Sequence, residues 1–337
     1  MTQQSAMAYL RHGLTPFFRL PATSLLAQGT SPADATALDL SAAAYRGADA
    51  VLLGVPHDGG TTYQPGARFA PFDIRRVSAL VQGYHQELGV DVFATVRAVD
   101  GGNVVFPPFD RATMRAAVQQ EISEVLAAGA APFVVGGDHS ISLPCLRALA
   151  KAHGPLAVVH VDAHLDTSSA EVWGDEYHHG TPIRHAIQEG LIAPGQLHQV
   201  GLRATWGKRD EDAVARSIGG SFLTMSELEA LGSIARAMSQ VRERLGAHPV
   251  YLTFDIDAVD PAFAPGTGTP VPGGLTSREA LAVVRGLAGA NLVGMDLVEV
   301  APALDHADLT CHLGAHLLFE GLAVLAMRPD LRARTSH

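Results

Sequence analysis

The sequence predicts an α/β fold, a three-layer α/β/α sandwich with a mainly parallel central sheet. Three observations predict it. Apolar runs of strand length recur along the 337 residues. Most are nearly continuous in Val, Ile, Leu and Ala, as strands covered by helices on both faces require. Amphipathic stretches of helical length separate them, which gives the β-α-β-α order of a layered parallel fold.

The elements follow in chain order. Strands are expected at Ala50–Gly54, Pro132–Val135, Leu156–Val161, Gln199–Leu202, Val250–Phe254 and Leu292–Val298. Helices are expected at Arg111–Ala128, Ser140–Ala152, Thr181–Glu189, Ser226–Leu245, Ser277–Leu287 and Asp308–Ala326. In Thr276–Glu279 (TSRE) a hydroxyl precedes a Glu by three residues, the pattern of a capping box. No linker or internal repeat interrupts the series, so residues 46–330 are expected to form a single domain, preceded by an N-terminal arm of residues 1–45.

Composition narrows the function. A net charge of −10 with no Lys/Arg cluster argues against a nucleic-acid partner. Cys145 and Cys311 fit no metal or redox spacing and read as reduced core thiols. The first residues show no signal-like apolar segment, and no apolar run approaches the roughly 18 residues of a membrane span. A cytoplasmic protein with no membrane partner is therefore expected.

Sites in parallel sheets form beyond the carboxyl ends of the strands. Three strand ends carry chemistry. Phe133–Ser140 (FVVGGDHS) ends in Asp138 and His139. Val158–Thr167 (VVHVDAHLDT) carries Asp162, His164 and Asp166 two apart, so on extended backbone all three face one way. Tyr251–Asp260 (YLTFDIDAVD) repeats the spacing with Asp255 and Asp257. Four such carboxylates crowded at one sheet edge repel one another and take up protons unless cations neutralise them, and two divalent ions do so. His160, inside an apolar run, reads as a hydrogen-bonded core histidine. His312 and His316 lack the acids of a helical metal motif and read as packing or interface residues. The loop Gly266–Gly274 (GTGTPVPGG) has no Lys for phosphate and reads as a rigid pocket wall.

Together GGDHS, DAHLD and FDIDAVDP, in this order, resemble the ureohydrolase (arginase/agmatinase) family. The likeness extends to Val55–Pro71, His178–Ala186 (HHGTPIRHA), Asp260–Leu281 and Met295–Asp308 (MDLVEVAPALDHAD), and the arm His12–Pro21 is similar to that of agmatinase-type members. The resemblance implies an arginase-like fold and two divalent ions per subunit, Mn²⁺ or alternatively Ni²⁺. His139, Asp162, Asp166 and Asp255 would hold one ion, and Asp162, His164, Asp255 and Asp257 the other. It makes His179 the proton-transfer histidine, with His178 pointing away, and Glu299 the acid that holds a guanidinium, while Asp166 hydrogen-bonds the nucleophile or carries its proton. The implied reaction cleaves a small guanidino compound to urea and an amine. The implied assembly is a homo-oligomer, trimer or hexamer, with a paralogous subunit as a further partner and the arm packed on a neighbouring subunit.

Departures bear on the substrate. Thr167–Tyr177 (TSSAEVWGDEY) replaces the polar stretch by which arginases hold arginine, which argues against L-arginine, and its Glu171, Asp175 and Glu176, with no base, suit a cationic or neutral tail better than a carboxylate tail, which favours agmatine over guanidino acids. His57, Val271 and Leu304 stand where an apolar residue, an acid and a Tyr are common in the family. Agmatine, guanidinobutyrate, guanidinopropionate, free guanidine and biguanides all remain open as substrates. A zinc deacetylase-like hydrolase and a non-catalytic partner subunit are the rival readings.

Overall fold

The computed structural model describes residues 16–23 and 45–333. The apolar runs become strands buried from end to end, and they pair only in parallel. Ten strands follow in chain order: β1 Ala50–Gly54, β2 Tyr84–His85, β3 Val90–Asp91, β4 Ala98–Asn103, β5 Ala131–Val135, β6 Leu156–Val161, β7 Ile192–Leu202, β8 Ser221–Thr224, β9 Val250–Asp255 and β10 Leu292–Val298. Eight of them form one sheet in the order β4-β1-β5-β10-β9-β6-β7-β8, every neighbouring pair parallel. β2 and β3 make a separate antiparallel hairpin.

Successive side chains of a strand face opposite layers. In β1, Ala50 and Leu52 join one apolar core and Val51 and Leu53 the other. The first core is closed by helices Ala70–Ser78, Ile234–Leu245, Ser277–Arg285 and Leu309–Ala326. The second is closed by Arg111–Ala127, Ser142–His153 and Pro182–Gln188. Cys145 and Cys311 are buried free thiols, as expected.

Several expectations change. The single helix expected over Ser226–Leu245 is two, Met225–Leu231 and Ile234–Leu245. Gly232 takes a left-handed conformation (φ 77°) that stops the first, and the Ser233 hydroxyl accepts the Arg236 amide to start the second. An apolar stretch of membrane-spanning length does exist after all. Leu309–Ala326 qualifies by length and composition, but 83% of it is buried inside the fold as a core helix. The Thr276 capping box forms as read.

Residues 1–15 and 24–44 of the expected arm lie outside the described residues. The part that is described packs on its own chain. Phe17, Phe18 and Leu20 are buried, the Phe17 amide donates to Asp100 Oδ2 (2.9 Å), and Ala22 bridges Asp100 at the sheet edge.

His198 in β7 generates a stability prediction. Its Nδ1 meets Ser221 Oγ at 2.7 Å, while its buried Nε2 has no hydrogen-bond partner. Burial, aided by the positive charge of Arg244, lowers its pKa from 6.5 to about 4. The unfolded chain therefore binds more protons between these values, so stability is complete above about pH 6.5 and falls as pH drops toward 4. The loss approaches about 3 kcal/mol, since a tenfold change in proton affinity corresponds to ~1.4 kcal/mol. Urea midpoints at pH 7 and pH 5 should therefore fall further for the wild type than for His198→Asn. Equal falls would refute this account.

Candidate functional site

Each sheet-edge segment is shaped by a local constraint. After β5 the chain turns through Gly136 and Gly137, where a Cβ on Gly137 would lie 1.9 Å from the His57 carbonyl oxygen. That close approach swings Asp138 and His139 over the sheet edge. Asp138 stays structural, accepting the amides of Gly60 (2.6 Å) and Ser140 (3.0 Å). After β6, Asp166 holds a left-handed backbone (φ 52°), and after β10 so does Glu299 (φ 63°), the kind of sparsely populated conformation found at functional sites.

The structure brings all six expected ligands together. His139 Nδ1 lies 3.2 Å from Asp162 Oδ2, 2.9 Å from Asp166 Oδ2 and 3.1 Å from Asp255 Oδ2. His164 Nδ1 lies 3.0 Å from Asp257 Oδ2 and 3.4 Å from Asp162 Oδ1. Asp162 thus turns one oxygen to each group. Asp255 Oδ1 accepts the Asp257 amide (2.8 Å), which leaves Oδ2 as its inward atom.

Hydrogen-bond direction tests whether cations fit. Ser142 Oγ donates to Asp296 Oδ2 (2.5 Å), so at its 3.4 Å contact with Thr253 the hydrogen comes from Thr253. Thr253 Oγ1 then accepts from His139 Nε2 at 2.8 Å. With Nε2–H given to Thr253, His139 Nδ1 is the buried atom that faces three carboxylate oxygens, with no hydrogen-bond partner among the described residues, and when unprotonated it offers its lone pair to a cation. Such a set is repulsive by itself and fits a divalent cation with oxygen and imidazole ligands.

The same reasoning excludes His160, although it clusters with His139, Asp162 and Asp166. Gln199 Nε2 sits 2.9 Å from the Leu165 carbonyl, which can only accept, and 2.8 Å from His160 Nδ1. His160 Nδ1 is therefore the acceptor, and Nε2–H donates to Asp162 Oδ2 at 2.8 Å. His160 is a buried core histidine that orients a carboxylate.

Electrostatics agree. Burial, then the charges of Asp257 and Asp162, push the Asp255 carboxyl well above its usual range. Burial works to lower the pKa of His164, but Asp257 and Asp162 lift it to about 12. A site that otherwise attracts protons this strongly exchanges them for metal ions.

The cluster floors a cavity of about 780 Å³. His179 stands on its wall, with Nε2 2.7 Å from Thr62 Oγ1 and Nδ1 2.9 Å from Glu299 Oε1. Burial opposes protonation of His179, but Glu299 lifts its pKa to about 9. Glu299 is nearly inaccessible, and Oε1 also accepts the His139 amide (2.8 Å).

Other residues depart from expectation. His178, expected to point away, is among the residues that line the cavity, buried and with Nδ1 accepting the Gly180 amide (3.1 Å). Of the three loop acids only Glu171 lines the cavity, and Asp175 is paired with Arg111. Arg184 and Lys208, which no sequence motif singles out, line it as well. His57 is buried against Phe106. The Gly266–Gly274 loop is a wall as read. Arg203 clamps the Val271 carbonyl, and Thr269 reaches Asp257 Oδ2 at 3.3 Å. His312 and His316 lie on the Leu309–Ala326 core helix, outside the cluster.

Comparison with known proteins agrees with this geometry. The family model described as "Arginase family" matches residues 48–323. Proclavaminate amidinohydrolase of Streptomyces clavuligerus is 46% identical over 82% of this chain and 88% of its own length. Its solved structure superposes with a TM-score of 0.83 at 42% identity, over 93% of this chain and 97% of that one. Guanidinopropionase of Pseudomonas aeruginosa is 40% identical over 93% of this chain and 92% of its own length. The mitochondrial agmatinase of Gallus gallus is 42% identical over 83% of this chain and 82% of its own length. On a shared fold, shared motifs and a match spanning most of its length, this chain belongs to the arginase family.

Proposed function

We propose that the chain is a binuclear-metal amidinohydrolase that converts a small guanidino compound and water into urea and an amine. The observation that carries this reading is Asp162, whose two carboxylate oxygens face two different imidazole–carboxylate sets on one cavity floor. The names of the relatives, among them guanidinopropionase, guanidinobutyrase and agmatinase, support guanidino chemistry.

His139, Asp162, Asp166 and Asp255 would hold one ion, and Asp162, His164, Asp255 and Asp257 the other. The oxygen-rich set favours Mn²⁺, with Ni²⁺ as the alternative. Bound divalent ions supply hydroxide at neutral pH and polarise the substrate, which a resonance-stabilised guanidinium carbon requires. Glu299 places a buried negative charge beside the cavity for the guanidinium. The amine departs only after gaining a proton. His179, held between Thr62 and Glu299, supplies it. Asp166 hydrogen-bonds the nucleophile.

Two experiments test this reading. Asp162→Ala should lose both ions by elemental analysis, whereas His139→Ala should mainly weaken one; two ions retained in Asp162→Ala would overturn the bridging assignment. In metal-loaded His179→Asn, kcat for urea release should drop about 10²-fold or more, the scale of a lost acid–base group, with metal content kept. Near wild-type kcat there would remove His179 from proton transfer.

A further inference from the structure

The cavity that holds the carboxylate cluster also holds a guanidinium with no acidic partner among the described residues. Arg184 lines it from the helix Pro182–Gln188, half-buried. Its Nε donates to the carbonyls of Thr167 (3.0 Å) and Ser168 (2.9 Å), and its backbone amide bonds the Asp166 carbonyl (3.3 Å). The side chain is thus pinned beside the segment that follows a metal-ligand candidate.

Other arginines of this protein are engaged. Arg68, Arg75, Arg97, Arg111 and Arg147 each pair with a carboxylate. Arg203 directs all three of its nitrogens at backbone carbonyls. For Arg184, the Nε contacts are the hydrogen bonds found among the described residues, and no carboxylate there pairs with it. Two carbonyls immobilise one edge of the guanidinium and leave the two Nη groups as a donor fork.

A partly buried cation without a counter-ion is costly, and an anion entering the cavity relieves that cost. The fork matches a carboxylate, with two parallel charge-assisted bonds. The other charges at the mouth do not change the sign of this preference. Glu171, Asp210 and Lys208 are exposed, where charges act weakly, and Glu211 keeps its charge but has its Oε2 turned to the Gly207 amide (2.6 Å) rather than to Arg184.

Resting on the amidinohydrolase reading, we propose that Arg184 determines substrate class by receiving a carboxylate at the far end of the substrate, so that the enzyme prefers ω-guanidino acids to guanidino amines such as agmatine. The two ends of such a substrate are oppositely charged, and the cavity lining carries both signs, with carboxylates on the floor and Arg184 on the wall. An ammonium tail meets like charge at Arg184. The connection through Asp166–Ser168 keeps Arg184 close to the floor, which suits a linker of a few carbons.

The test uses the metal-loaded full chain with 3-guanidinopropionate, 4-guanidinobutyrate, agmatine and methylguanidine, read by urea release and by calorimetric binding. The wild type should favour the guanidino acids over agmatine. Arg184→Gln should lower their kcat/KM by about 30-fold or more, mainly through KM, the mark of a contact made before the chemical step. Methylguanidine, which has no tail, should be unaffected by Arg184→Gln, which checks folding and metal content together. Arg184→Lys should recover part of the loss. Equal losses on all four compounds, or a wild type that prefers agmatine, would overturn the proposal. If the wild type released no urea from any compound, the hydrolytic reading would fall. Arg184 would then be judged by whether Arg184→Gln abolishes 4-guanidinobutyrate binding in the calorimeter.

Discussion

Carboxylate crowding at the carboxyl edge of the sheet is the constraint on which the rest of the site depends. Three carboxylate oxygens approach one imidazole nitrogen within 3.2 Å, in a region closed to solvent. Nothing in an apolar core tolerates that arrangement without cations. The surrounding structure is organised to hold it. The chain of hydroxyls from Asp296 through Ser142 and Thr253 fixes the tautomer of His139, and Gln199 does the same for His160. The second relay lies on neighbouring strands, and the first joins β9 and β10 through Ser142 at the start of the helix Ser142–His153, so regular elements set the orientation of the ligands.

What was legible in the sequence follows from this. The dense spacing of Asp162, His164 and Asp166 marked the site, but not through extended backbone: β6 ends at Val161 and Asp166 is left-handed (φ 52°), so the turn after the strand places these side chains and sends His164 toward Asp257 and Asp166 toward His139. The buried strands were legible because their apolar runs are unbroken. β4 was not, since AVDGGN mixes an acid and two glycines into the run; Asp100 there takes the Phe17 amide and Arg75, an interaction between segments far apart in sequence. The eight-stranded order was also out of reach, because the pattern of a strand says that it is buried and not which neighbours bury it.

The site divides the same way. Metal ligands sit in dense local motifs. The polar groups that aim them, Thr253, Ser142, Asp296 and Gln199, are scattered single residues inside apolar runs and carry no local signature. Arg184 was missed for a related reason. In HHGTPIRHA it looks like one more helical cation, and only the folded chain shows that it has no acid to pair with. The acidic look of Thr167–Tyr177 misled in the opposite direction, because Asp175 is neutralised by Arg111, 64 residues earlier. Local charge in a sequence predicts a pocket's preference only after partners from elsewhere are subtracted.

The position of β10 has a consequence for how the molecule is assembled. In the sheet, β4, β1 and β5 lie on one side of it and β9, β6, β7 and β8 on the other. The last strand to be synthesised is therefore the one that joins two partial sheets. His139 belongs to the first half and the four aspartates to the second, so the set of six groups is complete only when β10 stands between β5 and β9. Non-local pairing of this kind is slow, because chain entropy must be lost before contacts compensate. Closing the sheet and creating the metal-ready site are then a single folding event.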